Sequence, residues 1–227
     1  MIIYEGPSEI DNKPIAVIMT GTKTPSMNIK TGTMAQTYIL LQDISPIDAV
    51  KSKEDYSICG SCIHRGSSCY VNLAHGPTMV WKVYKNNSYE RCPPSKAGYN
   101  QSIRVGAYGD PGAVPKDIWK KLLSKARMWT GYTHQTSSAM HLMGNVQASA
   151  DTAEEAIALQ AIGWKTFRVK TPDEPLLPGE IMCPNEKTGM QCIQCGLCNG
   201  RQKNIAINIH GAAYRINNYK TWRLSTQ

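Results

Sequence analysis

Short apolar runs alternate with helical patterns along most of this chain, and the alternation predicts its fold. Ile15 to Met19 (IAVIM) lies between Pro14 and Gly21 and reads as a buried strand. Thr37 to Gln42 (TYILLQ) predicts a second. Ser45-Pro46 opens a short helix through Val50, proline being well placed in a first turn. Residues 1–14 show no clear period, and residues 22–33, rich in Thr, Lys, Gly and Ser, read as loop. A helix is predicted from Pro77 to about Lys85, with Val80, Trp81 and Tyr84 at helical spacing.

From residue 103 the pattern becomes regular. Strands are predicted at Ile103–Tyr108, Met128–Tyr132, Asn145–Ala148, Thr166–Lys170, Glu180–Met182 and Asn204–Ile209. Helices are predicted from Pro115 to Arg127, with an apolar face of Ile118, Trp119, Leu122, Leu123 and Ala126, and from Asp151 to Gly163. Asp151 and Glu154 stand at capping-box spacing and Gly163 at a C-cap position. Strand–helix alternation argues for a parallel sheet with right-handed crossovers. Seven or eight strands suit an α/β fold of the small, irregular (β/α) TIM-like barrel type, with cysteine-rich metal-binding loops. An open doubly wound sheet is the alternative. No G-x-G-x-x-G or P-loop is present to make that sheet a nucleotide site. Residues 1–211 are read as one domain with loops at 59–92 and 183–198, followed by a basic, aromatic tail at 212–227.

The cysteines change the picture most. Cys183, Cys192, Cys195 and Cys198 fall in the pattern C-x8-C-x2-C-x2-C. Four thiolates in one short stretch enclose a metal centre unaided, and Gly196 and Gly200 let the backbone fold tightly. A C-x2-C-x2-C run is the spacing that wraps three corners of an iron–sulfur cluster, the fourth thiolate coming from a distance. Zinc more often takes separate C-x2-C pairs, and remains the alternative. A second group, Cys59, Cys62 and Cys69, stands at C-x2-C-x6-C and predicts another metal site. Cys92 is the first choice for its fourth ligand and His64 the second, with an ordinary surface histidine beside Arg65 as the bland reading of His64; buried free thiols are the bland reading of the 183–198 group. Neither group has the C-x3-C-x2-C spacing of the radical S-adenosylmethionine enzymes.

On a barrel, functional residues collect at the carboxyl ends of strands. Those positions here are Asp110, His134, Asp151, Lys170, Cys183 and His210. Each has a plain explanation as well: Asp110 as turn former, Asp151 as helix cap, Lys170 as solvated charge, His210 as a loop hydrogen-bonder. His134 is least easily explained by local structure, so it leads the catalytic candidates, with Asp110 and His210 behind it.

Composition narrows the setting. The 227 residues can bury a full core without staples, so the eight cysteines are not there to rescue a miniature scaffold. MIIYEGPSEIDNK carries polar residues where a signal peptide would be apolar, and no apolar run reaches membrane-spanning length. The expectation is a cytoplasmic protein with reduced thiols and no membrane partner. The formal charge of +8 suggests nucleic acid. Eight thiolates and two divalent ions would halve that excess, so basicity carries little weight. The tail interleaves Arg215, Lys220 and Arg223 with Tyr214, Tyr219 and Trp222, the mixture of cations and aromatics that single-strand binders use.

Several strings taken together, CGSCIHR, SCYVN, RVGAYGDP, WTGYTHQ, GWKTFRV and the cysteine run from Cys183 to Gly200, resemble a largely uncharacterised family of cysteine-rich proteins encoded by bacteriophages. The likeness covers roughly residues 36–211. It implies a TIM-barrel-like fold, a [4Fe-4S] cluster, and metal-binding roles for Cys59, Cys62, Cys69, Cys183, Cys192, Cys195 and Cys198. Cys92 lies outside the similar stretches. The implied setting is the host cytoplasm, with a virion component as the other viral location. Three functions are therefore in play: a viral iron–sulfur protein using its cluster for redox or structure, a zinc-bearing nucleic-acid-binding protein of viral replication or transcription, and a barrel enzyme using strand-end Asp and His residues.

Overall fold

In the computed structural model, which describes residues 1–225, the run Ile15–Met19 forms the interior of β2 (Pro14–Thr20), and all five side chains are fully buried. A strand covered on both faces must be apolar throughout rather than alternating, and IAVIM meets that need. β2 is antiparallel to both its neighbours, β1 (Ile2–Pro7) and β3 (Ala35–Leu41). β1 was not legible as a strand. It is an edge strand whose register shifts between Ile2 and Tyr4, and the shift erases the period-two signal.

Beyond β3 come α1 (Pro46–Ser52), where Ser45 accepts from the Asp48 N–H as an N-cap, then α2 (Tyr56–Cys59), α3 (Gly76–Lys85) and α4 (Pro94–Ala97). The alternating part follows: β4 (Ser102–Tyr108), α5 (Lys116–Leu123), β5 (Met128–Thr133), β6 (Gln147–Ala150), α6 (Ala153–Ala161) and β7 (Thr166–Lys170). The chain ends with β8 (Glu180–Met182), α7 (Pro184–Thr188), α8 (Cys192–Cys195), β9 (Asn204–Asn208) and α9 (Ala213–Ser225).

Among the described residues nine strands form one sheet in the order β1-β2-β3-β4-β5-β6-β7-β9-β8, parallel from β3 onward. The α/β class is as predicted, but the sheet does not close, so the TIM-like barrel is corrected to an open sheet. Its two edges are β1, part of an antiparallel meander, and the three-residue β8, whose partner is β9. Nor is the sheet doubly wound. Strand order follows chain order from β1 to β7, and right-handed crossovers that always step the same way put their helices on one face. Trp119 and Leu122 of α5 and Ala156 of α6 are fully buried.

Register places Arg104, Tyr132, Gln147 and Phe167 on one common face of β4 to β7. The Arg104 guanidinium lies 4.2 Å over the Tyr132 ring, and Tyr132 packs on Phe167 at 4.2 Å between centroids. The segment expected as a free tail instead forms α9 and docks. Its Tyr219 is fully buried, and the phenol donates to the carbonyls of Asp151 and Val169 at 2.9 and 2.8 Å. Arg223 bonds the same Asp151 carbonyl and the Glu174 carboxylate. Residues 226 and 227 of that segment lie outside the described residues. No helix among the described residues is long and apolar enough to cross a membrane.

Candidate metal centres

The loop from Cys183 to Cys198 connects β8 to β9. The Cys183 N–H bonds the Ala206 carbonyl on β9 at 2.8 Å. α8 begins at Cys192 and ends at Cys195, with a reciprocal cap between Gln191 and Gln194. Gly196 stops it in the left-handed region (φ +66). Cys198 then reaches mid-strand: its carbonyl accepts from the Gly131 N–H of β5 at 3.0 Å. Gly200 must be glycine, since a Cβ there would stand 2.4 Å from the Val146 carbonyl oxygen. The loop therefore lies against the middle of the sheet, not only at the strand ends as the barrel reading placed it. The segment at 22–33 clasps it from outside, through Cys192 N–H to the Lys30 carbonyl (2.9 Å) and the Gln191 amide to the Ile29 carbonyl (3.1 Å).

The four thiols share one electrostatic field. Burial, with the Cys183 and Cys192 sulfurs nearby, pushes the Cys198 thiol up to about 12, against a lowering hydrogen bond from Tyr132. Burial raises Cys192 and Cys195 too; Arg104 pulls Cys192 back, the Leu197 N–H pulls Cys195 back, and the charge of Cys183 raises both. Arg104 is the odd member. It is 7% exposed and sits in the same field as Cys192, yet it takes part in no ion pair among the described residues. Its neighbours are the Tyr132 ring and the Tyr70 hydroxyl, 3.3 Å away.

The second region is the loop from Cys59 to Cys69. Gly60 turns it in the left-handed region (φ +56), and a Cβ there would meet the Gln135 amide at 2.3 Å. Gln135 donates to the Cys59 carbonyl at 3.0 Å. Arg65 pins the loop from the other side, donating to the Gly60 and Lys53 carbonyls and to the Asp55 carboxylate at 2.7 Å. Burial, then the charges of Cys62 and Cys69, raise the Cys59 thiol well above its ordinary value. Burial raises Cys69 as well, opposed by the Val71 N–H and helped by Cys62. Cys92 does not join them: its N–H bonds the Ile2 carbonyl, and its sulfur contacts its own neighbour Pro93 beside the amino terminus.

Another set closes on this region. β5 and β6 are parallel neighbours, so the residues just past their ends, His134 and Asp151, are brought together. His64 arrives from the cysteine loop. Its Nε2 lies 2.8 Å from one Asp151 carboxylate oxygen, and His134 Nε2 lies 3.5 Å from the other. The Asp151 side chain is only 4% exposed. Burial opposes its ionisation, yet the bonds from His134 and His64 outweigh that and hold the carboxyl well below its ordinary value. Burial likewise opposes charge on His134, but the Cys62 charge and bonds to Asp151 and Cys62 raise it well above the ordinary imidazole value. Asp151 was read as a helix cap. The cap of α6 is the next residue, Thr152, which accepts from the Glu155 N–H, and Glu155 in turn accepts from the Asp151 N–H. That one-residue shift frees the Asp151 carboxylate for the histidines.

The other strand-end candidates have structural work. The Asp110 carboxylate accepts from the Thr133 hydroxyl and the N–H groups of His134 and Gly112, joining β4 to β5. The Lys170 ammonium caps the carbonyls of Thr171 and Glu174. His210 Nδ1 bonds the Asn208 carbonyl, and its ring faces Tyr70 at 6.2 Å. Sequence reasoning passed over Arg104 and Tyr132. A cation inside the apolar strand IRVGAY was the available signal for the first, since an interior strand position is a costly place for a charge. The chain matches no protein-family model, no curated protein and no solved structure.

Proposed function

We propose that this chain is a metal-cluster protein in which Cys183, Cys192, Cys195 and Cys198 hold a [4Fe-4S] cluster. The supporting observation is Arg104. A buried cation without a carboxylate needs negative charge close by, and a cubane ligated by four thiolates is anionic. The donor set is all sulfur, as such a cluster requires. The cluster would supply one-electron transfer or a structural clamp; with four thiolates it has no open iron. The chain's own contributions are a fixed counter-charge from Arg104, a hydrogen bond from Tyr132 to the Cys198 sulfur, and burial of Cys198 from water. The resemblance to cysteine-rich phage proteins supports a viral protein working in the host cytoplasm.

Purification without oxygen, followed by visible absorption and assays of iron, sulfide and zinc, tests this reading. A broad thiolate-to-iron charge-transfer band with about four irons per chain is expected. A colourless chain carrying zinc alone would overturn it.

A further inference from the structure

We infer that His64, His134 and Asp151 bind one divalent first-row transition ion, at a site distinct from the four-cysteine loop. Among the described residues, this trio is the one group of three or more His, Cys, Asp or Glu whose ligand atoms already lie within 4.8 Å of one another. Two imidazole nitrogens and a carboxylate are the donors that zinc, ferrous iron and their neighbours share.

Three further features favour an ion over a simple hydrogen-bonded brace. The first is orientation of the rings. His64 Nδ1 is engaged by the Ser68 hydroxyl at 2.6 Å, which leaves Nε2 to face Asp151. The His64 ring also stacks on Tyr219 of α9 at 5.9 Å, and the His134 backbone is fixed by Asp110. Outer contacts of this kind commonly orient metal-binding histidines. The second is the carboxylate, almost wholly buried and not needed as a cap. The third is space. A cavity of about 310 Å³, lined by Ser61, Ile63, His134, Asp151 and Glu155 among others, opens on two members of the trio, His134 and Asp151. With three protein ligands, two of them facing a cavity, a coordination position is left for water or a small ligand, the arrangement of an open rather than a closed site. The site lies just past the carboxyl ends of the parallel strands β5 and β6.

The test is anaerobic titration of the full chain with cobalt(II) as a spectroscopic probe. One cobalt per chain should bind with ligand-field bands of a nitrogen–oxygen site. His64→Gln and Asp151→Asn should each weaken binding about ten-fold or more, while Cys92→Ser leaves it unchanged. X-ray absorption of the wild-type cobalt form should show imidazole scattering, and that measurement stands even if a variant fails to fold. No binding, binding indifferent to both substitutions, or a shell made wholly of sulfur would overturn the assignment. The iron-derived visible band reports the four-cysteine loop separately, so the two readings fail independently.

Discussion

The two cysteine-bearing loops use the same residue in opposite surroundings. Loop 183–198 lays its sulfurs against the sheet beside a buried guanidinium and a tyrosine hydroxyl, with Cys198 sealed from solvent. Loop 59–69 keeps Cys62 beside His134, next to a second histidine, a carboxylate and a cavity. The first environment sets four sulfurs beside two cations, Arg104 and Lys30, which suits a closed, anionic centre. The second mixes nitrogen, oxygen and sulfur around open space, which suits an exchangeable ion. Cysteine spacing predicts a metal site for both loops alike; the difference lies in residues that arrive from distant strands.

The contrast can be broken most severely at its cores. Cys198→Ala should abolish bound iron while leaving cobalt binding at the trio intact, read by metal analysis of the same sample. Arg104→Met should leave the cluster's charge unbalanced and cost about 3–5 kcal/mol, the scale for breaking a buried charge pair. The expected signs are lower iron occupancy and a lower melting temperature. If Arg104→Met loads iron as well as wild type, its role as counter-charge is wrong.

Gly60→Ala should act on the other loop alone. Its left-handed backbone and the nearby Gln135 amide make a cost of about 1–3 kcal/mol the expectation, with weaker cobalt binding and an unchanged visible band. In the metal-free chain, pH should act in two separate windows. His134 is raised by its partners, so its contribution to stability is complete below about pH 6.5 and lost as pH rises through its higher folded value. Asp151 is depressed, so its contribution is complete above about pH 3.9 and lost as pH falls through its lower folded value. Melting temperatures across pH should lose the alkaline fall in His134→Gln and the acid fall in Asp151→Asn. Tyr132→Phe is a smaller change. It removes one bond to the Cys198 sulfur, worth about 1 kcal/mol, and should shift the cluster's reduction potential while iron content holds. Cys92→Ser should alter neither centre.

How much of this could be read in advance depended on whether the signal was local. Thr166–Lys170 and Glu180–Met182 are strands as predicted, because β-branched or apolar residues and clear punctuation mark them. β6 begins at Gln147, two residues later than predicted, because QASA has no bulky residue to announce a strand. Closure could not be read at all. Strand number does not separate a barrel from an open sheet, and what decides between them is that the edge strands β1 and β8 do not pair. His134 stood out because local structure gave it nothing to do, and it belongs to the trio. Asp151 was misread because it and Thr152 are adjacent capping residues, and three-residue spacing is satisfied from either with a glutamate downstream. Cys92 was assigned by arithmetic, and arithmetic carries no direction in space.

The position of β8 has a bearing on how the protein is made. β8 lies outside β9 although it precedes it in the chain, and β9 is its sheet partner. During synthesis all four cysteines of loop 183–198 leave the ribosome before the strand that anchors Cys183 exists. Until residues 204–208 emerge and pair with β7, Cys183 lacks the carbonyl that holds it, although the floor under Cys198 on β5 is already made. If the loop takes up a cluster, its Cys183 corner is therefore the last to be set in place, timed by the arrival of a single strand.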